Sequence, residues 1–150
     1  MQPSTDWTRI LVTTDLSKQA SRAVEYAHTL AEKFGSELHV LHVVDDVQQL
    51  AAEHGVAGVL EPGEQSDEHD GWLSRLLDET GKIRRIEAVR VGTDVAEVVA
   101  RYAAHNDIGL IVTATHGRTG LDHLLMGSVA EDILRKAPRP VLVIRPEIKP

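Results

Sequence analysis

The segment ILVTTDLSKQASRAVEYAHTLAEKFG, residues 10–35, decides the fold class. It opens with the apolar run Ile10 to Val12, and an unalternating run of this kind is typical of a strand covered on both faces. From Ser17 to Phe34, apolar residues recur at intervals of three and four, which predicts an amphipathic helix, and Gly35 follows at the position of a C-terminal cap. A buried strand that leads directly into a helix is the building unit of a parallel α/β sheet.

The rest of the chain repeats this alternation. Further strands are predicted at Leu38 to Val44, Arg85 to Val91, Ile108 to Ala114 and Val141 to Ile144, and further helices at Trp72 to Glu79, Val95 to Ala103 and Ser128 to Lys136. Asp94 and Glu97 fit a capping box for the second of these helices. Glycines and prolines break every period between Val47 and Gly71, which predicts an irregular connection. We expect a doubly wound α/β fold, with a five-stranded parallel sheet in the order 3-2-1-4-5 and helices on both faces.

Length, charge and composition exclude several classes of protein. A chain of 150 residues, 42% of them apolar, suits one domain over residues 1–150 better than two. The net charge of -7 argues against nucleic-acid and membrane partners, and the lack of cysteine excludes disulfides and thiolate metal sites. No apolar run approaches the roughly 20 residues that span a bilayer, and Met1 to Trp7 lacks the features of a signal peptide. We expect a cytoplasmic protein.

Two polar segments follow the first and fourth predicted strands, which lie side by side where the winding of such a sheet reverses. They are Thr13-Thr14-Asp15 and the stretch from Ala114 to Gly120. Ligands of doubly wound folds bind outside the carboxyl ends of these strands. The connection from Thr115 to Gly127 is 13 residues long, and long ordered loops are disproportionately functional. The sequence therefore places the candidate ligand site in this crevice.

An anion would fit at the start of the helix that begins at Ser128. The N–H groups and the positive end of the helix dipole favour negative charge there, the Ser128 hydroxyl adds a donor, and Gly127 admits a ligand close to the backbone. His116 and Arg118 are further donors, and Asp15 could accept hydrogen bonds from a ribose or an adenine. The alternative is that Ser128 only caps the helix and the glycines only serve turns. The fingerprints of P-loop and dinucleotide-binding proteins are absent.

The segment TATHGRTGLDHLLMGSV, residues 113–129, resembles a family signature. It is similar to the G-x2-G-x9-G-[ST] pattern of ATP-binding universal stress proteins, with Ala114 in place of the first glycine. The resemblance extends to ILVTTDLS at residues 10–17, LHVVD at residues 41–45 and RPVLVIRP at residues 139–146. It covers most of the chain except residues 47–81.

The resemblance implies a role for particular residues. Asp15 would contact the nucleoside, Val43 would line the adenine slot, and the phosphates would be held by Gly117, Gly127, Ser128 and the amide of Val129. The full set of candidate nucleotide-binding residues is Thr13, Thr14, Asp15, Val43, Thr113, Ala114, His116, Gly117, Arg118, Gly127, Ser128 and Val129. No catalytic residue and no protein metal site is predicted.

Two residues depart from the family pattern. Thr13 stands where the family often has proline, and Ala114 replaces a glycine. If that glycine were needed for a positive φ angle, alanine would weaken nucleotide binding; if it were needed only for space, alanine is the smallest possible change. We expect that binding is retained.

The predicted function is that of a stress-response regulator that binds ATP or AMP. Occupancy would reorder the loop from Thr115 to Met126 and change what an unknown protein partner contacts. One alternative is a family member that binds no nucleotide and acts through dimer contacts, and another is a slow magnesium-dependent ATPase. A phosphorylatable receiver-type switch is disfavoured, because Arg145 replaces the lysine it needs and the third strand ends in Gly92 without an aspartate.

The eight histidines do not form a recognisable metal site. His39 and His42 are three residues apart in a predicted strand, so their side chains should point to opposite faces. The others without a ligand partner at recognisable spacing are His28, His54, His69, His105 and His123. Asp45 and Asp46 could help to hold a magnesium ion that accompanies the nucleotide, or they could form a solvated acidic turn.

The strand from Val141 to Ile144 should lie at an edge of the sheet. Unpaired backbone groups and apolar side chains at such an edge invite association, and the prolines at 138, 140 and 146 limit the strand's length. Similar members of the family form homodimers through this strand. We expect a homodimer here as well.

Overall fold

The computed structural model describes residues 6–45, 83–116 and 126–147. In chain order its elements are β1 (Arg9–Thr14), α1 (Lys18–Phe34), β2 (Glu37–Val44), β3 (Arg85–Val91), α2 (Val95–His105), β4 (Leu110–Ala114), α3 (Ser128–Lys136) and β5 (Val141–Ile144). The helix predicted at Trp72 to Glu79 and the connection before it lie outside the described residues. Among the described helices, none is long and apolar enough to cross a membrane.

The strands form one parallel sheet in the order β3-β2-β1-β4-β5, as predicted. Ile10 in β1 is in register with Leu38 in β2 on one side and with Leu110 in β4 on the other. The chain winds outward from β1 to β3 and then crosses to β4, so β1 and β4 are neighbours at the point of reversal. Their carboxyl ends therefore open into one crevice.

Helix α1 shows how local sequence fixes an element. The Ser17 hydroxyl accepts a hydrogen bond from the Ala20 amide at 3.1 Å and caps the start of the helix. Gly35 ends it with φ of 65°, in the left-handed region that glycine adopts without strain. The buried face carries mainly alanines, such as Ala23 and Ala27, which let the helix lie close to the sheet.

The two faces of the sheet have separate cores, because side chains alternate along each strand. Even-numbered residues such as Ile10 and Val40 pack against α1, and odd-numbered residues such as Leu11, Leu41 and Ile111 pack against α2 and α3. All five of these side chains are fully buried, and burial of each is worth about 1.5–3 kcal/mol. The face that carries α2 and α3 also carries the candidate site.

The predicted start of the fourth strand differs from the structure by two residues. Strand β4 begins at Leu110 rather than at Ile108. The Ile108 amide donates to the Ala103 carbonyl at 3.1 Å, so its backbone closes the turn after α2 although its side chain is buried. Gly109 then passes the N-terminal segment so closely that a Cβ there would overlap the Asp6 carbonyl oxygen. Apolar character alone did not distinguish this turn from the strand.

Candidate functional site

A cleft of about 220 Å³ lies at the carboxyl ends of β1 and β4. It is lined by Thr13, Thr14, Asp15, Ala20, Leu41, Val43, Val95, Thr113, Ala114, Thr115, His116, Gly127, Ser128, Val129 and Ala130. Ten of the twelve candidate residues from the sequence are in this set. The remaining two, Gly117 and Arg118, lie outside the described residues.

One side of the cleft is apolar. Leu41 and Val43 of β2 present their side chains on the face that carries α2 and α3, and Val95 at the start of α2 lies above them. Leu41 and Val95 were not among the residues that the sequence pattern indicated. Leu41 could have been found because it lies two residues before Val43 and so shares its face of the strand. This side of the cleft suits a flat apolar group.

The middle of the floor is polar. Thr13 near the end of β1 and Thr113 near the end of β4 form a hydrogen bond between their hydroxyl groups, with 2.9 Å between the Oγ1 atoms. Thr113 is buried and Thr13 is half-buried. The two residues are 100 positions apart in the chain, so sequence analysis placed them at the same crevice without showing that they are bonded.

The turn after β1 holds Asp15 at the rim of the cleft. The Thr14 hydroxyl accepts from the Leu16 amide at 3.0 Å, and a carboxylate oxygen of Asp15 accepts from the Ser17 amide at 2.9 Å. Leu16, which lies between Asp15 and Ser17, has φ of 67°. This left-handed conformation costs a non-glycine residue of the order of 1 kcal/mol. Backbone strain of this kind concentrates at functional sites, where the surrounding structure maintains it.

The N-terminus of α3 forms the wall opposite the apolar side. Gly127 is the N-cap, and the first bond within the helix runs from the Glu131 amide to the Gly127 carbonyl at 3.1 Å. The amides of Ser128, Val129 and Ala130 therefore have no acceptor within the helix, and they carry the positive end of its dipole. The structure thus supplies the group of donors that the sequence predicts for an anion.

The structure also decides two questions about Gly127 and Ser128. Ser128 is the first residue of the helix and not its cap, so the alternative in which its hydroxyl caps α3 is wrong. Gly127 has φ of -65°, which any residue can adopt, but its amide donates to the Thr115 carbonyl at 2.7 Å and a Cβ would lie 2.9 Å from that oxygen. Close packing of backbone on backbone is therefore one reason for this glycine, in addition to any approach of a ligand.

Ala114, which stands at the first glycine of the pattern that residues 113–129 resemble, has an unstrained backbone. It is the last residue of β4 and is in register with Ile144 of β5. Its φ is not positive, since Leu16 and Asp107 are the non-glycine residues with positive φ in the described ranges. The position needs no left-handed conformation, so the remaining effect of alanine is one methyl group at the wall of the cleft.

His116 follows at the inner end of the cleft. The residue is buried, and its Nδ1 atom lies 3.0 Å from the Thr115 hydroxyl oxygen. Among the described lining residues there is no lysine or arginine, and Asp15 is the one carboxylate. Backbone amides, hydroxyl groups and the helix dipole are therefore the described features that favour an anion.

No group of three or more potential metal ligands forms within the described ranges. His39 and His42 lie on opposite faces of β2, as predicted. His39 Nδ1 lies 2.8 Å from the Tyr102 hydroxyl on α2, while His42 Nδ1 lies 2.9 Å from the Thr14 carbonyl oxygen. The two rings cannot bind one ion.

The buried ring of His39 bridges a carboxylate and a phenol. Its Nε2 atom lies 2.8 Å from Glu37, and because a carboxylate only accepts, Nε2 donates and Nδ1 accepts from the Tyr102 hydroxyl. Burial lowers the pKa of His39 below 6.5, and the hydrogen bond and charge of Glu37 oppose this only in part. Burial raises the pKa of Glu37, but the hydrogen bond with His39 and the charges of His39, Arg84 and Arg9 outweigh it, so the net pKa is lowered.

Comparison with known proteins identifies the family. The model of the universal stress protein family matches residues 6–145, and the chain belongs to that family. A universal stress protein of Methanocaldococcus jannaschii is 31% identical over 150 aligned residues, which cover 91% of this chain and 81% of that protein.

Solved structures share the fold. The universal stress protein UspA from Lactobacillus plantarum superposes with a TM-score of 0.73 at 24% identity, over 93% of this chain and 98% of that one. The universal stress protein of Archaeoglobus fulgidus in complex with dAMP has a TM-score of 0.65 at 22% identity, over 93% and 98% of the two chains. A universal stress protein in complex with cAMP has a TM-score of 0.64 at 20% identity, over 92% and 96%.

Proposed function

We propose that this chain binds an adenine nucleotide, ATP or AMP, in the cleft and acts as a nucleotide-dependent switch for a partner protein in the stress response. One observation carries the proposal. A single cleft has an apolar wall at β2 and a group of helix amides at α3, with a carboxylate at the rim between them. The two structural neighbours that hold dAMP and cAMP support the choice of an adenine nucleotide.

The strand order supports one orientation of the nucleotide. Neighbouring parallel strands are about 4.8 Å apart, so β2 and β4 are separated by roughly 10 Å across β1. In the proposed pose, adenine lies against Leu41 and Val43, and the first phosphate meets the amides of Ser128 and Val129. Asp15 accepts hydrogen bonds from the nucleoside. These roles match the ones that the sequence resemblance implies.

Phosphates beyond the first need further positive charge. Arg118, which lies outside the described residues, is the basic residue of the signature segment. Asp45 is exposed at the end of β2, and no described cluster could hold magnesium by itself. A magnesium ion would therefore enter with ATP, held mainly by the phosphates.

Binding, not turnover, is the proposed activity. Phosphoryl transfer requires cations that stabilise the transferred group and a positioned nucleophile, and the described lining residues include no lysine or arginine. Incubation of the protein with ATP and magnesium tests this point. Hydrolysis slower than about 1 per minute agrees with a regulator, whereas rates approaching about 1 per second would favour an enzyme.

Calorimetry with AMP and with ATP plus magnesium tests the proposal itself. Saturable binding of either nucleotide is the expected result. Mass spectrometry of small molecules released from the purified protein identifies the natural occupant without presuming one. If neither nucleotide binds at millimolar concentration, the chain is a family member that acts through protein contacts alone.

A homodimer through β5 is part of the proposal. The strand pairs with β4 on one side and with no strand on the other within the described part of the chain. Leu142 is 37% exposed, and Val141 and Val143 on the opposite face are half-buried. An edge strand with this apolar character is suited to pairing with a second copy. Light scattering that gives the mass of a monomer at micromolar concentration would contradict this part.

A further inference from the structure

We propose that the hydroxyl pair of Thr13 and Thr113 binds a hydroxyl group of the nucleotide's sugar, and that Thr13 makes the site prefer ribose to a sugar that lacks this hydroxyl group. The inference rests on the proposed function and deepens it by naming the class of sugar. It arises from a hydrogen bond that joins the two central strands of the cleft.

The position of the pair follows from the sheet order. In a nucleotide the sugar lies between the base and the first phosphate. With the base at β2 and the phosphate at the start of α3, which follows β4, the sugar lies over β1 and its border with β4. Thr13 and Thr113 are each the last residue but one of their strands, and both line the cleft there.

The hydrogen bond between the two hydroxyl groups uses only some of their protons and lone pairs. Two hydroxyl groups carry two protons, and their mutual bond at 2.9 Å uses one of them. Whichever residue donates, the second proton and several lone pairs are not used by this bond. A sugar hydroxyl, which both donates and accepts, is complementary to what remains.

Burial and stiffness make the pair selective. Thr113 is only 4% exposed, and Thr13 is the more exposed member, so Thr13 is the one that a ligand reaches. Threonine is branched at Cβ and restricted at χ1, which keeps the two oxygens in place. A ligand that covers the pair without a matching hydroxyl would bury a polar group without a partner, and that costs affinity.

The residues on either side of the pair along the floor of the cleft have no hydroxyl group to offer, and Asp15 at the rim can accept a hydrogen bond but cannot donate one. Leu41 and Val43 on the base side are apolar, and Ala114 beyond Thr113 has no polar side chain. A proline at position 13, which the family pattern often has, would offer no hydroxyl. The preference for ribose is therefore expected to depend on this chain's own threonine.

The test compares sugars and variants by calorimetry. AMP, 2′-deoxy-AMP and 3′-deoxy-AMP are titrated into the wild type, Thr13→Val and Thr13→Ser. One neutral hydrogen bond predicts that the wild type binds AMP about 3- to 10-fold tighter than at least one deoxy nucleotide. Thr13→Val should lose this difference, and Thr13→Ser, which retains the hydroxyl, should keep it. Thr29→Val, the same change on the exposed face of α1, is the matched control and should also keep it.

The outcomes separate this inference from the proposed function. A wild type that binds AMP and both deoxy nucleotides equally overturns the sugar preference and leaves nucleotide binding intact. An equal loss for all three ligands in Thr13→Val also overturns it, because the pair would then serve only to join β1 and β4. A wild type that binds none of them overturns both proposals. If Thr13→Val does not fold by its thermal melt, Thr113→Val is measured with the same expectation.

Discussion

Replacement of Ser128 by proline isolates the role of the α3 amides. Proline has no N–H group, and it is well tolerated in the first turn of a helix, where that N–H has no helical acceptor. The residue before a proline is restricted to extended conformations, and Gly127 already has φ of -65° and ψ of 154°. Ser128→Pro therefore removes an amide donor and a hydroxyl from the proposed phosphate site while the backbone can stay in place.

The expected loss of affinity can be worked out from the bonds removed. A hydrogen bond to a charged group contributes about 1.5–3 kcal/mol, which corresponds to roughly 10- to 150-fold in the dissociation constant. Ser128→Ala removes only the hydroxyl and should lose at most one such bond. Ser128→Pro removes both donors and should bind AMP at least about 10-fold more weakly than Ser128→Ala.

Calorimetry with AMP measures these constants, and thermal melts without ligand check the fold. Because Ser128 is exposed and its amide has no helical acceptor, the free energy of unfolding should change by less than about 1 kcal/mol. Adenosine is the internal control, since it has no phosphate and should bind the three proteins alike. If Ser128→Pro folds and binds AMP as tightly as the wild type, the phosphate does not lie at the start of α3.

Three further outcomes are expected. The folded state holds His39 neutral with a pKa below 6.5, so His39 in the unfolded chain takes up a proton first as the pH falls. The free energy of unfolding should therefore decrease from about pH 6.5 downward. Urea denaturation between pH 7.5 and 5.5 measures this decrease, which should be shallower in His39→Gln. Tyr102→Phe leaves the His39 Nδ1 atom without its donor and should cost about 1–3 kcal/mol in chemical denaturation, with AMP affinity unchanged because neither residue lines the cleft. Leu142→Lys places a charge on the exposed edge strand and should convert the proposed homodimer to a monomer in light scattering, whereas Leu134→Lys on the exposed face of α3 should leave the mass unchanged.

Local patterns in the sequence were sufficient for most of the fold. Strand β3 and helix α3 have the predicted bounds, and the Asp94 side chain accepts from the Glu97 amide as a cap should. The alternation of elements predicted a parallel sheet with helices on both faces, and the strand order was predicted as the commonest one for a doubly wound sheet. Ile108 was misassigned because its side chain is as buried as that of a strand residue, while its backbone belongs to the turn after α2.

The sequence was sufficient to predict where the candidate site lies in the fold, but not which of its residues contact one another. The ends of β1 and β4 could be named because topology brings them together. The bond between Thr13 and Thr113, and the packing of Gly127 on the Thr115 carbonyl, depend on distances across the folded chain that no local pattern encodes. For the same reason the contribution of Val95 was missed, since its place in the cleft depends on how α2 lies on the sheet.

A crystal structure of the protein grown with millimolar AMP would show the pose of the bound nucleotide itself. We expect adenine against Leu41 and Val43, with phosphate oxygens within about 3.2 Å of the amide nitrogens of Ser128 and Val129. A cleft that holds no nucleotide under these conditions, or a phosphate held away from the start of α3, would contradict this expectation.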